Sequence, residues 1–255
     1  MGCYSQLLDF WLPISMRPLL VFLHGFGEDA RIWQDFFPEK FADYEIHVPN
    51  FACWSNCHSI ASYASKIVSE IPTNIPFICI GHSMGGYIAL EIAQQFPQRT
   101  KAIVMLHSTP LPDSLEKKTQ RLKTVDFLQE HGSEIFIRSF VANLFAPDFV
   151  KIKRDLIDQL IFRYQNIDVM GLVAATRAMK DRQDFQEFIR YTSIPFLFVL
   201  GEIDPLIPPS SIVGLLEGKD QHKFVILPGV AHQGCYEASE QTFLVINQFL
   251  NEIHV

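Results

Sequence analysis

The stretch Gly81-His82-Ser83-Met84-Gly85-Gly86 constrains this chain more than any other. Before it, Phe77-Ile78-Cys79-Ile80 is an apolar run short enough to be a buried strand. After it, residues 87–96 carry apolar side chains at helical spacing and stop at Pro97. Ser83 is therefore expected on a tight strand-to-helix turn, with glycines at 81 and 85 where backbone segments approach closely. Such a turn lifts a serine hydroxyl clear of the sheet and aims the first helical N–H groups at a neighbouring oxyanion. The same glycines would serve simply to pack a helix on a strand. The turn needs partners elsewhere before it speaks for catalysis.

The flanking pattern supplies a frame for those partners. Leu19-Leu20-Val21-Phe22-Leu23 is a continuous apolar run, consistent with a strand covered on both faces, and opens into His24-Gly25-Phe26-Gly27. The glycines let that loop turn a main-chain N–H, that of Phe26, toward a ligand oxygen. Further strands are expected at 44–49, 101–106, 194–200 and 223–227, with helices at 30–37, 59–70, 169–179 and 239–253. Residues 7–12 could form one more strand at the start. Residues 111–166 contain no convincing strand and predict three helices, at 113–131, 133–145 and from Pro147 to 164. The expected architecture is α/β: a mostly parallel, doubly covered sheet. Its core spans 1–110 and 167–255, and a helical cap at 111–166 is inserted between two strands.

A chain of 255 residues with 48% apolar content can bury one such core. Net charge −7 without a dense Lys/Arg patch excludes a nucleic-acid partner. No apolar run reaches the roughly 20 residues of a membrane span. Residues 1–18 lack a secretory signal's basic start, Asp9 interrupts their apolar part, and Gln6 stands where a myristoylation site needs Ser or Thr. The expectation is a cytoplasmic protein, monomer or homodimer. Five cysteines without framework spacing suit reduced thiols. Cys53, Cys57 and His58 have a metal-like spacing, but no second cluster completes a ligand set, so no metal is expected.

Ser83, Asp204 and His232 each follow the C-terminal end of an expected strand, where open α/β sheets place their ligands. They occur in the chain order serine, acid, histidine. A serine hydroxyl is a poor nucleophile near neutral pH, so an imidazole must take its proton. A buried carboxylate must hold that imidazole in one tautomer and stabilise its charged form.

With these groups in order, the sequence resembles the α/β-hydrolase superfamily over residues 19–255. The motifs that carry the likeness are His24-Gly25-Phe26-Gly27, Gly81-His82-Ser83-Met84-Gly85-Gly86, Gly201-Glu202-Ile203-Asp204 and Ala231-His232. The resemblance implies Ser83 as nucleophile, His232 as general base and acid, and Asp204, rather than Glu202, as the orienting carboxylate. It also implies an oxyanion hole from the N–H groups of Phe26 and Met84. The family usually opens with an antiparallel strand pair, for which only 18 residues are present before Leu19.

A serine at position 83 excludes the carboxylate-nucleophile branches of that superfamily. It leaves hydrolysis of a small-molecule carboxylic ester through an acyl-serine, with no cofactor. Phe140 and Phe145, in the aromatic-rich cap, together with His24, Phe26 and His107, are the candidate substrate contacts, and a small to medium apolar acyl group is expected. No cluster of arginines marks a phosphate or polyanion site, so a coenzyme A ester is not expected. Two alternatives share the motifs: a serine-triad carbon–carbon hydrolase or lyase, and a low-turnover ligand-binding protein on the same scaffold.

Overall fold

The computed structural model describes residues 18–36, 40–216 and 221–253; the strand expected at 7–12 lies outside them. Six parallel strands form one sheet in the order β2-β1-β3-β4-β5-β6: β1 (Leu19–Leu23), β2 (Ile46–His47), β3 (Phe77–His82), β4 (Thr100–Leu106), β5 (Phe196–Gly201) and β6 (His222–Leu227). The central strands read as apolar runs because both of their faces are covered. In β1, Leu19, Val21 and Leu23 join one core cluster while Leu20 and Phe22 join the other; in β4, Ile103 and Met105 oppose Ala102, Val104 and Leu106. This period of two follows from the pleat.

Helices α2 (Ile60–Ser69) and α3 (Met84–Gln95) cover the first face, and α1 (Arg31–Phe36) and α11 (Ser239–Glu252) cover the second. α2 begins where expected because Ser59 and Ser62 form a reciprocal capping box. The short helices α8 (Gln186–Tyr191), α9 (Ser210–Leu216) and α10 (Gly234–Glu237) were not expected. Each spans two turns or fewer, too few for a clear period.

Between β4 and β5 the chain is helical: α4 (Leu115–Val141), a 3₁₀ turn (Ala142–Leu144), α5 (Pro147–Ile152), α6 (Arg154–Tyr164) and α7 (Val169–Lys180), followed by α8. The helices expected at 113–131 and 133–145 run together as α4, kinked at Gly132 (φ 80°, ψ 176°). The third expected helix is two, because Lys153 leaves helical geometry at φ −112°, ψ 35°. This segment has its own apolar cluster, including Leu128, Ile137, Leu144, Leu160 and Tyr164. α7 belongs to both layers: Leu172 and Val173 pack into that cluster, whereas Ala175, Ala178 and Met179 pack into the sheet's.

Candidate active site

The turn between β3 and α3 is as tight as its glycines suggest. A side chain at Gly85 would collide with the carbonyl of Leu23 in β1, and one at Gly81 with the backbone of Gly85. Ser83 sits there at φ 50°, ψ −113°, a strained conformation for a residue with a Cβ. The turn is held by Ser83 N–H donating to Leu106 O (2.9 Å), and Ser108 Oγ donating to Ser83 O (2.8 Å). The hydroxyl of Ser83 is left half-buried at the C-terminal end of the sheet.

Asp204 follows β5 and His232 follows β6, and the three side chains meet. Ser83 Oγ lies 2.9 Å from His232 Nε2, and His232 Nδ1 donates to Asp204 Oδ2 at 2.8 Å. Asp204 Oδ1 accepts the N–H groups of Leu206 (2.8 Å) and Ile207 (3.0 Å). Burial alone would raise the Asp204 carboxyl, but His107 and His232 outweigh it and hold it well below its usual value. Glu202, the other acid of that loop, points elsewhere, accepting the N–H of Gly229.

Phe26 lines the same cavity as Ser83, and Met84 follows Ser83 in the turn as the first residue of α3. Among the described residues neither main-chain N–H has an acceptor. The loop carrying Phe26 is braced from behind. Gly25 N–H donates to Glu28 Oε1 (2.6 Å), and His24 Nδ1 donates to Gly25 O (2.8 Å) while its Nε2 accepts the N–H of Phe51 (3.2 Å).

Glu28 is the hub of a buried network that the motifs did not single out. His82 Nδ1 donates to Glu28 Oε1 at 2.6 Å, and His82 Nε2 donates to the main-chain carbonyl of His232 at 2.9 Å. Gln233 Nε2 donates to Glu28 Oε2 (3.2 Å). One carboxylate therefore ties together the Phe26 loop, the Ser83 turn and the His232 loop. Both ring nitrogens of His82 act as donors, the pattern of an imidazolium. Burial opposes that charge, yet Glu28 raises His82 above its usual value, and His82 holds Glu28 below its own against the same burial.

A cavity of about 240 Å³ opens beside Ser83 and His232. Phe26 and Phe140 line it, joined by Phe136 and Tyr87. The Phe26 ring meets Phe136 and Phe140 edge-on at 5.7 and 5.6 Å. Three expected contacts are placed elsewhere and need correction. His24 is buried against Phe51, whose ring it stacks on at 3.6 Å. Phe145 is buried and stacks on Phe149 at 5.5 Å. His107 is wholly buried behind the relay: its Nε2 accepts the N–H of Gly234 (3.1 Å), which leaves the ring proton on Nδ1, 3.5 Å from Asp204 Oδ2. Each ring fills space or meets a main-chain group, which aromatic content alone could not disclose.

The cavity wall also carries Asp113, Lys117, Gln120, Arg121 and Thr124, none of which the motifs flagged. Four of them fall at 117, 120, 121 and 124, one face of α4 by helical spacing. Asp113 binds two guanidinium groups, Arg121 through Nε (2.9 Å) and the buried Arg182 through Nη1 (2.6 Å). The arginines absent as a cluster in the sequence are thus gathered by the fold. The cysteine-rich loop holds no comparable group. Cys53 is exposed while Cys57 is buried. Among the described residues the one set spaced for a cation is His107, Asp204 and His232, already engaged in the contacts above.

Known proteins similar to this chain include several esterases. Pimeloyl-[acyl-carrier protein] methyl ester esterases are similar: that of Yersinia enterocolitica is 25% identical over 224 residues, covering 84% of this chain and 85% of its own. That of Wigglesworthia glossinidia brevipalpis is 24% identical, covering 88% and 90%. A thermophilic esterase from Thermogutta terrifontis, solved with malate bound, superposes with a TM-score of 0.85 at 20% identity, covering 94% of this chain and 91% of its own. The enol-lactonase of Burkholderia xenovorans gives 0.77 at 15%, covering 92% and 91%. The profile described as "Alpha/beta hydrolase family" matches residues 20–243. The turn, the parallel sheet and this match lead to one conclusion: the chain belongs to the α/β-hydrolase family.

Proposed function

We propose that this protein hydrolyses carboxylic esters through an acyl-serine formed on Ser83. The observation that carries the reading is the continuous hydrogen-bonded relay from Ser83 through His232 to Asp204 at the wall of a cavity. His232 takes the hydroxyl proton as Ser83 attacks the ester carbonyl, while Asp204 stabilises the imidazolium. The oxyanion forms between the N–H groups of Phe26 and Met84, where losing one such donor costs on the order of 3 kcal/mol in the barrier. His232 then protonates the leaving alkoxide and activates a water that releases the acid. The similarity to methyl ester esterases supports ester cleavage as the reaction class. A cavity of about 240 Å³ lies below the roughly 300–1,000 Å³ of drug-sized sites and favours a small to medium acyl group.

The helices of 111–166 act as a cap in this reading. They meet the core at the site itself, where His232 N–H donates to Leu144 O (2.9 Å) and Ala146 N–H to Glu237 Oε2 (2.8 Å). The buried and exposed thiols, all unpaired among the described residues, fit a cytoplasmic setting. No helix of the described residues is long and apolar enough to cross a membrane.

The test is hydrolysis of p-nitrophenyl esters of increasing acyl length by wild type and Ser83→Ala. Activity with an optimum at short to medium chains, falling by about 10⁴-fold or more in the variant, is expected. Equal rates in the two proteins would remove Ser83 as nucleophile. An inert wild type whose Ser83 is nevertheless labelled by an organophosphonate would move the reading to another triad chemistry.

A further inference from the structure

The cavity beside Ser83 is not an apolar slot throughout. Part of its wall is built by α4, where Lys117 and Arg121, one helical turn apart, line it. Their charge is not cancelled locally. Asp113 is shared between Arg121 and Arg182, with one carboxylate oxygen given to each. Asp204, the other carboxylate felt by Lys117, already accepts two main-chain N–H groups and the His232 proton. Two acids, each already engaged by other donors, therefore face three cations.

The cations are not saturated. Arg121 spends Nε on Asp113, and among the described residues its two Nη groups have no acceptor. Lys117 Nζ gives one bond, a long one of 3.3 Å to Leu206 O. Desolvation at the cavity wall, with Arg182 and Arg121 close by, pulls Lys117 below its usual value although Asp113 opposes the shift. A planar guanidinium held by one edge, with its other nitrogens free, is a receptor for a carboxylate, and an ammonium on the same helix face adds a second donor. Phe26, Phe136 and Phe140 give the same cavity an apolar wall. A substrate filling this site would carry a short hydrocarbon stretch and end in a negative charge.

We infer that Lys117 and Arg121 form an anion subsite, and that the preferred substrates are half-esters: carboxylic esters bearing a free carboxylate a few carbons from the scissile carbonyl. This rests on the ester-hydrolase reading for its chemistry but not for its binding. Two measurements separate them. The first compares kcat/KM for monomethyl glutarate with that for methyl pentanoate, a neutral ester of matching length. Wild type should prefer the half-ester by tenfold or more. The preference should fall by about tenfold in Arg121→Gln and in Lys117→Gln, and invert in Lys117→Glu, a substitution at an exposed position that spares the buried Asp113–Arg182 pair. The second is calorimetric titration of glutarate into Ser83→Ala, with and without Arg121→Gln. Binding that weakens about tenfold in the double variant and with added salt supports the subsite even if no ester is turned over. Equal kcat/KM for both esters, together with glutarate affinity insensitive to Arg121→Gln, would overturn it and leave the esterase reading standing.

Discussion

Glu28 holds three loops together from outside the cavity beside Ser83. Its carboxylate accepts from Gly25, His82 and Gln233, and His82 in turn holds the main-chain carbonyl of His232. Both partners of the Glu28–His82 pair are almost wholly buried, at 4% and 1% exposure, so screening by solvent is slight. Removing one member of a buried pair leaves the other charge uncompensated. Glu28→Gln is expected to lower unfolding free energy by about 3 kcal/mol, measured by urea denaturation. It should also reduce kcat more than it changes KM, because the His232 loop loses its tether. An unchanged midpoint would mean that His82 is neutral in the folded protein. None of this was legible from the sequence. Glu28 stands 54 positions from His82, and an acid after a glycine loop reads as a solvated turn. Ser83, Asp204 and His232 were legible because each follows a strand end, in the chain order of the family that the motifs resemble. Lys117, Arg121 and Arg182 were not, because only the folded contact of α4 with the end of α7 gathers them.

Elements were predictable where their boundaries are chemical and less so where tertiary packing decides. The capped start of α2 and the central strands fall near their expected positions. α4 does not, because the glycine expected to end a helix instead bends it. Gly132 adopts φ 80° with ψ 176°, a region open in practice only to glycine. The bend divides the helix by task. Lys117, Gln120, Arg121 and Thr124 lie before it, whereas Phe136 and Phe140, which pack on Phe26, lie after it. Nothing stands within 4 Å of a Cβ added at Gly132, so substitution there strains the backbone without a steric clash. Gly132→Ala is expected to cost roughly 1–3 kcal/mol. It should shift the two halves of α4 relative to each other, raising KM for any ester. A stability equal to wild type in thermal unfolding would show that the kink relaxes freely and does not set the cavity.

At the scale of the whole molecule, His107, His24, His82 and Glu28, all buried around the site, set opposing demands on pH. His107 is fully buried and kept neutral, pushed down to about 4 by burial even though Asp204 faces it. The unfolded chain takes up a proton at this residue below about 6.5 while the folded chain does not, so stability is lost as pH falls through that window. The span from 6.5 to 4 corresponds to about 3 kcal/mol. His24, also lowered by burial, acts in the same direction. His82 acts oppositely: raised by Glu28, it contributes fully below 6.5 and loses that contribution as pH rises through its folded value. Glu28 is depressed, so its contribution is present above 4.5 and lost as pH falls below that. The histidines buried as neutral rings thus penalise acid, and the one buried as a cation penalises base. Stability is expected to peak near pH 6.5 and to fall more steeply on the acid side. His107→Asn tests the assignment, since asparagine tolerates the positive φ of 49° at this position and carries no titrating proton. Urea midpoints measured from pH 4 to 9 should lose much of their acid slope in the variant while keeping the alkaline one. An acid limb of unchanged steepness would show that His107 is already protonated in the folded protein, with its charge placed on the Asp204 side of the relay.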